Sequence, residues 1–241
     1  MNTPSNVMVF GGSGVIGGAI ATAFGQQGWT VGIQYHQHQS AARETASTIQ
    51  KTGGKSSLYQ ADVAISSQVC DTLQDFMQSH RFLNVLVWAV GVGSSTLVVK
   101  ISPQEWTRTL QTNLTGAYHV LKAVAPIFEK QKDGAVVLVG SLSGEQGIAG
   151  QAAYAASKAG LIGLMRTAAH EWGAFNSRVN IIFPGWHLSP LSEPGRHSAR
   201  EHRVHTLRRT PSLKGMANSV YHLALSPDTS GQVWNLDSRI W

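Results

Sequence analysis

A tyrosine and a lysine, Tyr154 and Lys158 in the segment QAAYAASKAG, are the residues best suited to acid–base chemistry. Because they are four residues apart, a helix would place both side chains on one face, one turn apart. An ammonium group near a phenol favours the phenolate, so Lys158 is expected to lower the pKa of Tyr154 from its reference value of about 10. The spacing therefore predicts a proton donor and acceptor that works at the operating pH.

A hydroxyl group lies upstream of this pair. Ser141 follows an apolar run at residues 135–139, which predicts a buried strand. Open α/β sheets bind ligands at the carboxyl edge of such strands, so the hydroxyl of Ser141 is positioned to hold a carbonyl oxygen. Ser143, two residues further on, is a second candidate for the same role.

A glycine-rich turn near the N-terminus predicts phosphate binding. The segment GGSGVIGG follows an apolar run at residues 6–10 and precedes a helix predicted to begin near Ile16. Gly12, Gly14 and Gly17 fit the pattern G-x-G-x-x-G, which lets backbone N–H groups and a helix N-terminus approach a pyrophosphate. The alternative is an ordinary strand–helix turn, and the further strand–helix units in the chain favour the nucleotide hypothesis.

Short β-branched runs alternate with longer amphipathic segments along the chain. Strands are predicted at residues 6–10, 30–34, 57–60, 85–88, 135–139 and 178–182, with a seventh near 232–236. Alternation of buried strands with helices predicts a parallel sheet covered on both faces. Residues 1–241 are predicted to form one α/β domain, with residues 186–215 inserted over the site as a lid.

Most of the net positive charge lies in one segment near the C-terminus. The chain has 241 residues and a formal charge of +6, and the segment from Arg196 to Lys214 holds six basic residues and one acid, giving +5 as six minus one. The six are Arg196, Arg200, Arg203, Arg208, Arg209 and Lys214. The segment is either a solvated lid or a patch that attracts an acidic partner. No nucleic-acid-reading motif accompanies it, so nucleic acid is not expected as a partner.

The remaining composition favours a soluble cytoplasmic protein. The single cysteine, Cys70, excludes an intrachain disulfide, and no signal peptide is recognisable at the N-terminus. The longest apolar runs fall far short of the ~20 residues that span a bilayer, so no membrane association is expected. The histidines show no metal-ligand spacing, and no metal is predicted.

Taken together, these residues resemble the short-chain dehydrogenase/reductase superfamily over essentially the whole chain. Tyr154 and Lys158 match its Tyr-x-x-x-Lys signature, Ser141 lies thirteen residues before the tyrosine, and Asn113 falls at the fourth catalytic position. The resemblance implies a Rossmann-type doubly wound parallel β-sheet of about seven strands with helices on both faces. It also implies an NAD(P)-dependent oxidoreductase in which Tyr154 exchanges a proton with the substrate oxygen.

The same resemblance implies a set of cofactor contacts. Besides Tyr154 and Lys158, which holds the ribose, the matching positions are Gly11, Ser13, Gly14, Ile16, Gly17, Tyr35, His36, Asp62, Val63, Ala89, Gly91, Pro184, Gly185, His187 and Ser189. Three departures stand out: Val15 replaces the middle glycine, His187 replaces an apolar residue, and the Asn-Asn-Ala-Gly motif reads Trp-Ala-Val-Gly from Trp88. The last change predicts a rebuilt local support of the sheet.

Cofactor preference is predicted from the residues after the second strand. NAD enzymes place an acid there to accept the ribose hydroxyls. This chain has Tyr35 and His36 and no acid before Glu44. With His36, His38 or Arg43 as donor to a 2′-phosphate, NADP(H) is expected to be preferred over NAD(H).

The segment around Tyr154 most resembles 3-oxoacyl-(acyl-carrier-protein) reductases, which implies NADPH-dependent reduction of an acyl thioester and a homotetramer. Acyl carrier protein or coenzyme A is acidic, so the basic segment would attract it, and Lys130 and Lys132 would extend the patch. Phe175, where such reductases often have a basic residue, leaves a free ketone, quinone or polyol open as substrate. A further alternative is a dinucleotide-sensing regulator without catalysis.

Overall fold

The computed structural model describes residues 5–93, 95–189 and 205–239, and its centre is a seven-stranded sheet in which every neighbouring pair is parallel. The strands are β1 Asn6–Phe10, β2 Thr30–Tyr35, β3 Lys55–Gln60, β4 Val85–Trp88, β5 Gly134–Val139, β6 Ser177–Phe183 and β7 Val233–Asn235. All seven predicted strands are confirmed. Strands β1, β4 and β5 are buried on both faces, which explains why they read as continuous apolar runs.

Helices connect the strands. They are α1 Val15–Gln26, α2 Gln39–Lys51, α3 Ser66–Ser79, α4 Pro103–Leu110, α5 Gly116–Gln131, α6 Ser143–Gln146, α7 Ala152–Trp172 and α8 Leu213–Leu225. A π-helical turn, Gln111–Thr115, joins α4 to α5, and a short 3-10 helix, Gly173–Phe175, follows α7. Within the described ranges, no helix combines the length and the apolar character needed to cross a membrane.

The core has two layers, one on each face of the sheet. Apolar side chains of α1, α2 and α8 fill one face, among them Phe24, Ile49 and Val220. Side chains of α3, α5 and α7 fill the other, among them Phe76 and Phe128. The predicted Rossmann-type doubly wound α/β architecture is therefore confirmed.

The strand order β3-β2-β1-β4-β5-β6-β7 places the two halves of the chain on opposite sides of β1 and β4. The connections leaving these two strands diverge, so a crevice opens between their carboxyl ends. The glycine-rich turn follows β1 and residues 89–93 follow β4, so both segments lie at this crevice.

The tryptophan at the end of β4 accounts for the altered motif there. Trp88 is fully buried, with its ring centroid 6.3 Å from that of Phe10. A Cβ on Gly116, the first residue of α5, would lie 3.0 Å from Cη2 of Trp88. A bulky ring thus packs between β4 and α5, and a glycine at the start of α5 makes room for it.

Half of the predicted lid at residues 186–215 lies outside the described residues, because residues 190–204 do not belong to them. The part that is described after this gap is tied to the C-terminal segment. His205 pairs with Arg239 in an antiparallel bridge, and the N–H and hydroxyl of Thr206 both donate to the carbonyl of Ser238, each at 2.9 Å. The end of the predicted lid is thereby anchored beside β7.

Candidate active site

Tyr154 and Lys158 lie on one face of α7, as their spacing predicts. The amine of Lys158 is 5.6 Å from the ring centroid of Tyr154. Lys158 is only 3% exposed, and its Nζ donates to the carbonyl oxygen of Val139 at 2.9 Å. Since Val139 is the last residue of β5, the lysine is held at the carboxyl edge of the sheet.

Burial controls the pKa of both groups. It lowers the pKa of Lys158 to about 8, because an ammonium is costly to keep away from water. It also raises the pKa of Tyr154, and a hydrogen bond with Ser141 only partly opposes this. The expectation that the pKa of Tyr154 lies below its reference value is therefore wrong for this structure, because burial has the larger effect. The amine lies over the ring face, and its bond goes to Val139.

The two candidate serines have different surroundings. Ser141 bonds to Tyr154, and its Oγ lies 3.2 Å from Oγ of Ser143. Ser143 is 4% exposed and donates to Oε1 of Gln151 at 2.9 Å. Of the two, Ser141 is therefore the serine that contacts the tyrosine, while Ser143 bonds to Ser141 on the side away from the tyrosine.

Asn113 is fully buried in the π-helical turn. Its Oδ1 accepts from the N–H of Val92 at 2.8 Å, and its Nδ2 donates to the carbonyl of Val92 at 2.8 Å and to Oγ of Ser157 at 3.0 Å. Ser157 in turn donates to the carbonyl of Tyr154 at 2.7 Å. Asn113 therefore joins the segment after β4 to the start of α7. Ser157 was not predicted, because its hydroxyl gives no signal until α5 and α7 are packed together.

The glycine-rich turn packs tightly against the end of β4. Gly11 has a φ of +81°, and a Cβ there would lie 2.8 Å from the carbonyl carbon of Ala89. Helix α1 begins at Val15 after Gly14, whose N-cap position carries no side-chain cap. The first N–H groups of α1 therefore suit an anion such as a pyrophosphate. Val15, 36% exposed, is a helical residue, so this position does not require the usual glycine.

Gln34 is a structural residue of this turn that was not predicted. Its Oε1 accepts from the N–H of Gly11 at 2.9 Å, and its Nε2 donates to the carbonyl of Ala61 at 2.7 Å. It is 2% exposed and so fixes the glycine turn to the end of β3. The only sequence signal is a polar residue inside an otherwise apolar strand.

The residues expected near the adenosine end lie together after β2 and β3. His36 is exposed, with Nε2 3.9 Å from Oδ2 of Asp62, whose Oδ1 accepts from the N–H of Ala64. Val63 is buried. Tyr35 is different from what its predicted role suggests, because its ring is buried in the core and its hydroxyl accepts from Gln39. Of Tyr35 and His36, the histidine is the one with an accessible side chain.

The segment Pro184 to Ser189 follows β6 at the same edge. Gly185 has a φ of +80°, and a Cβ there would lie 3.0 Å from Cβ of Asp237. His187 Nε2 lies 2.9 Å from the carbonyl of Pro184, so Nε2 carries the proton of the neutral ring. Burial lowers the pKa of His187, which favours this neutral form.

Asp237, after β7, supports that segment and was not predicted. Its buried carboxylate pairs with Arg239. Burial raises its pKa, but the hydrogen bonds and ion pair with Arg239 lower it by more, so the group stays charged. The side chain of Asp237 packs against Gly185, at the start of the segment that leads into the predicted lid.

The predicted site residues therefore converge on one edge of the sheet, at the ends of β1 to β6. A Cβ on Gly91 would lie 3.5 Å from Nζ of Lys158, and one on Gly93 would lie 3.3 Å from the ring of Tyr154. Close backbone approach and an uncapped helix N-terminus suit a dinucleotide. Among the described residues, no group of three His, Cys, Asp or Glu side chains is placed to hold a metal.

Two basic residues lie elsewhere. Lys130 and Lys132 stand at the end of α5, just before β5 begins at Gly134. The amino ends of parallel strands form the edge opposite to Tyr154, so the expectation that these lysines extend the basic patch beside the site is wrong within one chain. Arg208 and Arg209 are exposed in the segment before α8.

The fold and this edge define the class of dinucleotide-binding oxidoreductases, and comparisons with known proteins agree. The model of the family described as short chain dehydrogenase matches residues 5–199. The chain is 30% identical to a 3-oxoacyl-(acyl-carrier-protein) reductase of Staphylococcus epidermidis over 91% of each chain. It is 36% identical to one of Chlamydia muridarum over 74% of this chain and 72% of that protein.

Solved structures show the same fold. Levodione reductase superposes with a TM-score of 0.93 at 22% identity, covering 99% of this chain and 98% of that one. NAD+-bound xylitol dehydrogenase gives 0.90 at 24% identity, covering 98% of each. Because the family model and the 30% identical relative cover most of the chain, the chain belongs to the short-chain dehydrogenase/reductase family and is an NAD(P)-dependent oxidoreductase.

Proposed function

We propose that this chain catalyses the NADPH-dependent reduction of a 3-oxoacyl thioester to the 3-hydroxyacyl thioester. The observation that carries the proposal is the group formed by Tyr154, Lys158 and Ser141, in which a partly buried phenol bonds to a serine beside a buried amine. The relatives that are 30% or more identical and carry the name 3-oxoacyl-(acyl-carrier-protein) reductase support the substrate class.

In this mechanism the reduced nicotinamide, when bound, supplies a hydride to the carbonyl carbon. Tyr154 donates its phenolic proton to the carbonyl oxygen and becomes a phenolate, so one hydride and one proton convert C=O to CH–OH. The raised pKa of Tyr154 keeps that proton in place until the substrate is bound. Ser141 donates a hydrogen bond to the same oxygen, and the Lys158 cation stabilises the phenolate.

The cofactor would be held along the crevice by the positions that match the family. Gly11, Ser13, Gly14, Ile16 and Gly17 would surround the pyrophosphate, and Lys158 would bind the ribose beside the nicotinamide. Asp62 and Val63 would contact adenine, and Ala89 and Gly91 would line the crevice. Pro184, Gly185, His187 and Ser189 would border the nicotinamide. Asn113, in the π-helical turn, would hold the backbone of Tyr154 in place through hydrogen bonds by way of Ser157.

NADP(H) is the preferred cofactor in this proposal. His36 is exposed at the end of β2, where an NAD enzyme would present a carboxylate. Asp62 lies 3.9 Å away, and the exposed ring of His36 can donate a hydrogen bond to the charged oxygens of a 2′-phosphate. Since the pair is exposed, the preference for NADPH is expected to be modest.

The substrate is proposed to carry acidic groups. Arg208 and Arg209 lie in the C-terminal part of the predicted lid at residues 186–215, and both are exposed. Coenzyme A and acyl carrier protein bring phosphates and carboxylates, which such a patch would attract at low ionic strength. We further propose a cytoplasmic homotetramer with no nucleic-acid partner. Sedimentation analysis of the purified protein would test the tetrameric state.

The deciding experiment measures NADPH oxidation with acetoacetyl-CoA and with a panel of neutral ketones, quinones and sugars. The proposal expects acetoacetyl-CoA to be reduced, with kcat/KM falling as salt rises and falling further in the Arg208→Ala, Arg209→Ala double variant. Turnover of a neutral ketone without acetoacetyl-CoA would reject the thioester. Binding of NADPH without turnover of any carbonyl would favour a dinucleotide-sensing regulator.

A further inference from the structure

Behind the proposed catalytic serine lies a short chain of hydrogen bonds that the mechanism does not use. It runs from Ser141 through Ser143 to the side chain of Gln151, with O···O distances of 3.2 Å and 2.9 Å. Ser143 is 4% exposed, so water does not compete for its hydroxyl. The chain ends three residues before Tyr154, at the residue that caps α7.

The acceptor at the end of this series of hydrogen bonds determines which group donates at each step. Oε1 of Gln151 is a carbonyl oxygen and only accepts, so the single hydroxyl proton of Ser143 points to it. Oγ of Ser143 is then an acceptor for the hydroxyl of Ser141. Oγ of Ser141 also accepts from the N–H of Ser143 at 3.2 Å. While Tyr154 is neutral, the proton of Ser141 therefore points away from it.

The backbone holds both supporting residues firmly. The carbonyl of Ser143 accepts from the N–H of Gly147 at 3.0 Å, and the carbonyl of Gln151 accepts from the N–H of Ala155 at 2.7 Å. The residue before Gln151, Gly150, accepts from the N–H of Thr96 at 2.8 Å. The order of donors and acceptors from Ser141 to Gln151 is thus set by segments that pack on α7, and it does not require a substrate.

We propose that Ser143 and Gln151 are positioning residues that hold the hydroxyl proton of Ser141 away from Tyr154 until charge develops on the reacting oxygens. The Ser141 to Ser143 bond of 3.2 Å is long for two hydroxyls, so turning the Ser141 proton toward an anionic oxygen meets little resistance. Before reaction, Tyr154 keeps its proton and stays a competent donor. This inference rests on the roles proposed above for Tyr154 and Ser141.

Two substitutions release the proton by different routes. Ser143→Ala removes the acceptor of the Ser141 hydroxyl. Gln151→Leu removes the end of the chain, so Ser143 turns and donates to Ser141 instead. In both variants Ser141 can donate to the phenolate of Tyr154 without first breaking its bond to Ser143. The apparent pKa that limits kcat/KM on the alkaline side should therefore fall, by up to about one unit, because breaking that bond no longer opposes ionisation of Tyr154.

Matched variants separate this effect from a general loss of packing. Gln151→Glu keeps an acceptor at the end of the chain, so the apparent pKa should not fall below that of the parent. Ser56→Ala, on β3, removes another buried hydroxyl, one without a hydrogen-bond partner among the described residues, and should leave the pH profile unchanged. Thermal melts followed by circular dichroism would confirm that each variant is folded.

A second measurement needs no substrate. Ultraviolet titration of tyrosinate, taken as the difference between each protein and the same protein with Tyr154→Phe, reports the pKa of Tyr154 directly. The inference would be overturned if folded Ser143→Ala had the same apparent alkaline pKa of kcat/KM and the same tyrosinate pKa as the parent. This result would decide the matter even if Gln151→Leu does not fold. Full turnover by Tyr154→Phe would instead overturn the proposed function, so the two failures are distinguishable.

Discussion

The two ends of the candidate dinucleotide crevice are built differently. At the catalytic end, Lys158 and Asn113 are buried and each is fixed by hydrogen bonds shorter than 3.1 Å. At the adenosine end, the side chain of His36 is 53% exposed and its nearest charged partner, Asp62, is 3.9 Å away. Proton transfer requires fixed geometry and little water, whereas choice of cofactor can rest on exposed charges. Substitutions should therefore lower activity much more at the catalytic end than at the adenosine end.

After loss of the Tyr154 hydroxyl itself, loss of the buried amine should lower activity the most. Lys158→Met keeps an unbranched side chain and removes the charge that stabilises the phenolate. We expect kcat to fall by about 100-fold or more, as for loss of a group that assists acid–base catalysis, together with weaker cofactor binding. Steady-state kinetics and fluorescence titration with NADPH would measure the two effects, and a variant with unchanged kcat would remove Lys158 from the mechanism.

The same amine should make the stability of the protein depend on pH. Its folded pKa of about 8 lies below the usual lysine value of 10.5, so between these values the unfolded chain binds more protons and the free energy of unfolding rises with pH. The buried cation costs stability below pH 8, and this cost is lost as pH rises toward 10.5. Relative to Lys158→Met, the parent should gain up to about 3 kcal/mol across this window.

Urea unfolding of both proteins at several pH values would test this difference. Because the other titrating groups are shared, subtraction isolates the contribution of Lys158. Parallel pH dependences in the parent and Lys158→Met would show that the amine is not buried as described.

A pair of glycines tests the phosphate end of the crevice. A Cβ on Gly17 would collide with the carbonyl of Gly11, whereas a Cβ on Gly163 meets nothing within 4 Å. We expect Gly17→Ala to weaken NADPH binding about tenfold or more and to destabilise the fold by about 1–3 kcal/mol. Gly163→Ala, also within a helix, should raise stability by up to about 1 kcal/mol. Similar behaviour of the two variants would reject the close approach in the glycine turn.

The smallest effect is expected at the exposed adenosine end. His36→Ala should lower the ratio of kcat/KM for NADPH to that for NADH by about three- to tenfold, since an exposed charge-assisted bond is partly screened. His222→Ala, at the exposed end of α8, is the matched control. A ratio that does not change in His36→Ala would move cofactor selection to another residue.

The sequence predicts features that depend on local patterns and misses features that depend on contacts between distant residues or on burial. The strands and the Tyr154 to Lys158 spacing are local signals, and the structure agrees with them. Gln34 and Ser157 escaped prediction because their partners lie 23 and 44 residues away. The direction of the Tyr154 pKa shift also depends on burial, which no short motif reports. The burial of Tyr35 was hidden because β2 is covered on both faces, so its pattern does not alternate.

The most direct test of the account is the Tyr154→Phe variant, which removes the phenolic proton and keeps the ring. With acetoacetyl-CoA as substrate, kcat should fall by about 1,000-fold or more, within the range known for loss of a positioned acid. The dissociation constant of NADPH, measured by fluorescence, should stay within about twofold, because one neutral hydrogen bond at most is lost. Turnover by Tyr154→Phe comparable to that of the parent would contradict the assignment of Tyr154 as the proton donor.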